Sequence, residues 1–175
     1  MNEKLIENIK QLQLDYHSNS TVIKTFLNKK ELKEGCSEYI SLNINLDKLL
    51  SETIYVIDDT NKIFIDYTIF KIYSSQSNYQ TIVDFLVDKI KLIISIHKTF
   101  EVHLNLKSLT ISGIERYRPI FQIYYDTCCK SGLYYDSAVL DQIVIYNTPM
   151  FVNIITPIMV KYTDQSIKSK ITYNK

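Results

Sequence analysis

From residue 79 to the end of the chain, two hydrophobic periods take turns, and this alternation constrains the fold more than any other feature. Residues 79–98 (YQTIVDFLVDKIKLIISIHK) place Ile82, Val83, Leu86, Ile90, Ile93 and Ile94 on one helical face, with Asp84, Asp88, Lys89 and Lys91 mostly off it. Phe100–Leu106 (FEVHLNL) then alternates at the two-residue period of a strand. Residues 114–129 return to a helix, begun or kinked by Pro119 and followed by Gly132. Gln142–Tyr146 (QIVIY) reads as a buried strand, residues 150–161 as an oily helix, and residues 170–173 as a last short strand. Helices interleaved with strands predict an α/β fold, with a mixed, mostly parallel sheet flanked by helices.

Upstream, the pattern is less regular. Leu5, Ile6, Ile9, Leu12 and Leu14 predict an amphipathic helix over 2–15, and residues 21–34 a second short helix with Gly35 as its C-cap. Ile40-Ser-Leu-Asn-Ile-Asn-Leu46 alternates as a half-buried strand does. The β-branched and aromatic runs 53–57 (TIYVI) and 62–67 (KIFIDY) form a hairpin about a polar turn at 58–61. These readings divide the chain into an N-terminal helical segment, residues 1–35, and one α/β unit, residues 36–175.

At 175 residues the chain is long enough for one domain with a sizeable core. It is 46% hydrophobic with a formal charge of +1, which argues against both a disordered acidic chain and a strongly basic nucleic-acid binder. Arg116 and Arg118 are the only arginines, and Lys, Asn, Ile and Tyr abound, as AT-rich coding produces in a low-GC eukaryote or a large DNA virus infecting one. Cys36, Cys128 and Cys129 give neither a disulfide framework nor zinc-type spacing, so a reducing compartment is expected. The N-terminus carries carboxylates and no apolar signal core. The oiliest stretches, 85–96 and 150–160, fall short of the roughly 18–20 apolar residues of a membrane span. A soluble protein of eukaryotic or virus-infected host cytoplasm is the expectation.

No constellation for catalysis stands out. His97 and His103, with Glu101 between them, could reach one metal ion, but no second strong ligand group accompanies them. Asp58-Asp59-Thr60-Asn61 lacks the ligand spacing and glycine of a calcium loop and suits a turn. Adjacent Cys128 and Cys129 point in different directions at a helix end. The sequence has no Gly-x-Ser-x-Gly elbow, phosphate loop or dinucleotide fingerprint, and only three glycines with which to build a backbone cradle. Arg116 and Arg118 could hold a phosphate or carboxylate, although pairing with Glu115 at a solvated helix start explains them more simply. Lys24, Lys29, Lys30 and Lys33 could approach an anionic membrane but are diluted by Glu31 and Glu34. The expectation is therefore a non-enzymatic protein without cofactor or metal.

Residues 100–173 carry an ordered set of motifs: Asn105-Leu106-Lys107-Ser108, a helix to Cys129, Tyr134-Tyr135-Asp136, Ile143-Val-Ile-Tyr-Asn147-Thr-Pro149, the helix Phe151–Lys161, and Ser169-Lys170-Ile171. In this order and spacing they resemble the second half of the CRAL-TRIO lipid-binding domain family, named for cellular retinaldehyde-binding protein and the Trio exchange factor. That family runs Asp-Leu-Lys-Gly, helix, Tyr-Pro-Glu, a strand ending in Asn-x-Pro, a gate helix, and a Lys-Ile strand. Here Asn105 replaces the aspartate and Ser108 the glycine, while the glutamate position falls on Ala138 or Asp136.

The resemblance implies binding or transfer of a lipid or other small hydrophobic molecule in an apolar cleft beneath helix 150–161. Phe151, Ile154, Ile155, Ile158 and Met159 would face the ligand, with Lys170 near a headgroup. Asn147 or Thr148 can cap that helix, Pro149 suits its first turn and Pro157 invites a kink. Among the 14 tyrosines, Tyr117, Tyr124, Tyr125, Tyr134, Tyr135 and Tyr146 cluster in this half. Tyrosines can line a pocket with an apolar body and a polar tip, and Tyr124 and Tyr146 are taken as ligand-facing. The resemblance also allows transient membrane-surface contact. Its alternative is a protein-interaction scaffold, since some branches of the family serve small GTPases or their regulators without binding lipid.

Overall fold

The structure, a computed structural model, describes residues 3–19, 28–130, 138–148 and 165–174. Three helices open the chain: α1 (Glu3–Asn19), α2 (Lys29–Asn43) and α3 (Leu46–Thr53). The hairpin β1 (Ile54–Val56) and β2 (Lys62–Asp66) follows, then α4 (Tyr67–Tyr73), α5 (Tyr79–His97), β3 (Phe100–Asn105), α6 (Ile111–Lys130) and β4 (Leu140–Tyr146). A 3-10 turn, Gln165–Lys170, leads into β5 (Ile171–Asn174). The α/β fold is the one expected from the alternation.

The five strands lie in sequence order, β1-β2-β3-β4-β5, with β1 antiparallel to β2 and every other pair parallel. The hairpin turns where expected: Thr60 Oγ1 donates to the Ile57 carbonyl at 2.7 Å, and Asp59 takes φ 58°. Parallel neighbours require crossovers, and successive right-handed crossovers in one direction fall on one face of a sheet. Helices α5 and α6 accordingly pack together over the same face. That face is built from alternate strand residues, Ile63 beside Val102 beside Ile143, and Ile65 beside Leu104 beside Ile145. One hydrophobic core joins it to Leu5 and Ile9 of α1 and Ile40 of α2.

Three expectations are corrected here. Residues 40–46 are not a strand: α2 continues to Asn43, and Asn45 caps α3 by accepting from the Lys48 N–H at 3.1 Å. Cys36, Ser37 and Ile40 are buried at helical spacing whereas Leu42 is 79% exposed, so the period-two pattern was incidental. Gly35 does not end a helix but lies within α2, where a Cβ would come within 2.3 Å of the Tyr16 hydroxyl of α1. It is where the tip of the Tyr16 side chain reaches the backbone of α2. Consequently the boundary at 35/36 cuts through α2, whose true start is a capping box: Asn28 accepts from Lys30 and Glu31, and Glu31 accepts from Asn28. Helix α4, absent from the sequence reading, starts at Asp66, whose carboxylate accepts from the Thr68 N–H at 2.7 Å.

Candidate functional site

Between the helix-covered face of the sheet and helices α4, α5 and α6 lies an apolar cavity of about 250 Å³. Each wall follows from local periodicity. Helix α5 contributes Ile82, Leu86 and Ile90 at four-residue steps, and α6 contributes Ile114, Tyr117, Phe121 and Tyr124 along one face. The floor is Ile65 of β2, Val102 and Leu104 of β3, and Ile143 of β4. Ile65, Val102 and Leu104 sit on inner or second strands under helices yet are only partly buried, because the cavity reaches their side chains. Among the described lining residues none is charged, and the only side-chain polar groups are the hydroxyls of Tyr67, Tyr117 and Tyr124.

Burial governs those hydroxyls. It pushes the ionisation of Tyr67 up to about 12, with neighbouring Tyr117 adding to the effect and Arg116 opposing it. Burial likewise raises Tyr117, whose hydroxyl donates to the Lys71 carbonyl at 3.3 Å. Both are neutral, weakly polar walls at physiological pH. Their rings join Phe70 and Tyr79 in edge-to-face contacts, with Phe70 and Tyr117 centroids 4.8 Å apart.

The roof is held by Arg116 on α6, whose side chain is only 10% exposed. Its guanidinium donates to Glu34 at 3.1 Å, to Ser37 Oγ at 3.0 Å and to the Ser74 carbonyl at 3.1 Å. Glu34 also accepts from the Gln76 N–H at 2.5 Å. One fork thus ties α2, the α4–α5 connection and the start of α6 together. The pairing of Arg116 with Glu34, 82 residues away, is a tertiary contact that its local sequence does not announce. Arg118 pairs with Glu115 at 2.6 Å on an exposed surface, as expected.

A second polar feature joins the carboxyl ends of three neighbouring strands. Asn147 Nδ2 donates to Asn105 Oδ1 at 2.9 Å, and Asn105 Nδ2 donates to Asp66 Oδ1 at 3.3 Å. Just beyond, Lys71 Nζ donates to Ser108 Oγ at 2.6 Å. Ser108 and Asn147 both hold left-handed backbone, φ 66° and 51°. Asn tolerates that region; for Ser it is a strained place where glycine would be at ease.

The sequence-derived site residues separate into three groups. Tyr124 lines the cavity, and Tyr117 from the same tyrosine cluster does too. Tyr146 does not line it: strand alternation turns its side chain to the opposite face, where its hydroxyl meets His103 Nδ1 at 2.8 Å. Lys170 is not among the described lining residues, and its ammonium donates to the backbone carbonyl of Leu140. Phe151, Ile154, Ile155, Ile158 and Met159, with the whole of helix 150–161, lie outside the described residues. Tyr67 and Phe70 of α4, and the floor residues Val102 and Leu104, were not singled out from sequence; the alternation of β3 marks the latter two as inward but cannot show that they face open volume.

His103 is held between Tyr146 and Glu101, its Nε2 lying 3.1 Å from the Glu101 carboxylate, and no group of three metal-ligating side chains occurs among the described residues. Cys36 and Cys128 are both buried. Among the described residues no helix is long and apolar enough to cross a membrane. Compared with known protein families and with curated proteins, the chain matches none.

Proposed function

We propose that this protein binds a small hydrophobic molecule, without catalysing a reaction on it, in the cavity between the sheet and helices α5 and α6. The observation that carries the reading is the charge-free apolar lining around about 250 Å³. Protein interiors are otherwise close-packed, and unfilled volume costs about 24 cal/mol per Å³. An apolar ligand offsets that cost by restoring dispersion contacts along the walls.

The CRAL-TRIO resemblance belongs to the same proposal. Parallel β3, β4 and β5, with α6 between the first two, fit the element order it implies. A finer point also supports it: Ser108 stands where that family has glycine, and its backbone adopts the conformation glycine favours. On this reading the protein works in cytoplasm, carrying its ligand and touching membrane surfaces in passing. A second reading, a protein-interaction scaffold, draws on the opposite face of the sheet, where Tyr55 is 41% exposed and stacks on Phe64 at 5.3 Å.

Native mass spectrometry after incubation with a eukaryotic lipid extract distinguishes the two. A single stoichiometric apolar adduct, absent from a folded Val102→Phe variant whose new ring occupies the cavity, is the expected result. A clean ligand-free mass for the folded wild-type chain would turn the case toward the scaffold.

A further inference from the structure

The cavity walls also constrain what kind of hydrophobic molecule can enter. Most cellular amphiphiles carry a carboxylate or phosphate, and such a group brought into an apolar site needs a cation or several N–H donors around it. The described lining supplies neither: it contains no Lys, Arg or His side chain. The cations on or beside the lining elements lie outside the described lining. Lys71, next to Phe70, donates to Ser108; Arg116, next to Tyr117, is clasped by Glu34; Lys170 donates to the carbonyl of Leu140, itself a lining residue.

The Tyr117 hydroxyl points the same way. Tyr117 uses its one proton on the Lys71 carbonyl, so toward any further partner that oxygen presents lone pairs alone. A carboxylate, which only accepts hydrogen bonds, is repelled by such an oxygen. An alcohol can donate to it. Size sets a second limit. A cavity of about 150 Å³ holds one benzene, and pockets for drug-sized ligands begin at about 300 Å³. At about 250 Å³ the site lies between these, enough for a single chain or a ring with a short tail and too small for both chains of a phospholipid.

Resting on the binding reading above, we infer that the cavity selects uncharged, single-chain-sized hydrophobes, alcohols in particular, and discriminates against fatty carboxylates and two-chain phospholipids. Decanol and decanoate, matched in chain and differing in the headgroup, are the probes. In isothermal titration of the full chain at neutral pH, decanol is expected to bind at least about tenfold more tightly than decanoate, the ratio that corresponds to 1.4 kcal/mol. Decanoate binding as well as or better than decanol overturns the selectivity while leaving hydrophobe binding intact. If neither ligand binds, with the chain folded by circular dichroism, both the selectivity and the binding reading fail.

Discussion

On the helix-covered face of the sheet, Val102, Leu104 and Ile143 look across an apolar cavity toward α5 and α6. On the same strands, Glu101, His103 and Tyr146 occupy the other face, where His103 lies within hydrogen-bond distance of both of the others. There the Glu101 carboxylate forms an ion pair with Lys62 at 3.7 Å and lies 3.1 Å from His103 Nε2, while His103 Nδ1 meets the Tyr146 hydroxyl at 2.8 Å. Phe64 lies 6.2 Å from Tyr146, extending the network into an aromatic row. The two faces share a backbone and differ in what their side chains leave undone. On the polar face His103 ties Glu101 to Tyr146. On the apolar face the described lining carries no charge, and α4, α5 and α6 leave a cavity above the sheet.

The largest expected effect comes from erasing that contrast. Leu104→Asp puts an unpaired carboxylate into the cavity and should destabilise the chain by about 4 kcal/mol or more in urea titrations. A loss under about 1 kcal/mol would mean the site is wet, contrary to its apolar lining. Next in size is the opposite face. His103→Leu removes the shared partner of Glu101 and Tyr146 and should cost about 2 kcal/mol. Adding Tyr146→Phe should then cost less than it does alone, since the two side chains form one bonded unit; full additivity would show that they do not.

Between the faces, at the strand ends, the expected effect is smaller and of opposite sign. Ser108→Gly relieves the left-handed strain at φ 66° and should stabilise by about 1 kcal/mol, provided the lost contact to Lys71 contributes little. A destabilisation of that size would assign Ser108 to the polar network first and to backbone geometry second.

Much of this contrast was legible in the sequence. The alternation of Phe100–Asn105 already separates Val102 and Leu104 from Glu101 and His103, and the apolar stripe of α5 already faces a core. Placing Tyr146 by residue type alone, as a ring suited to a pocket, ignored the strand period that turns it away from Ile145. The strand expected at 40–46 shows the opposite fault, a period honoured where helix caps at Asn28 and Asn45 decide the structure. The volume of the cavity had no local sequence signal. Whether Ile82, Leu86 and Ile90 meet the sheet or stop short of it depends on side-chain volumes contributed by three separate elements, and no local pattern encodes that sum.

The most direct test is thermal unfolding of the wild-type chain and Val102→Phe, each with and without decanol. Filling the cavity from the floor should raise the melting temperature of the ligand-free variant above wild type, as cavity-filling substitutions do by about 0.5–2 kcal/mol. Decanol should raise the melting temperature of the wild-type protein and leave the variant unmoved. No shift in the wild type, or an equal shift in both proteins, would contradict the account.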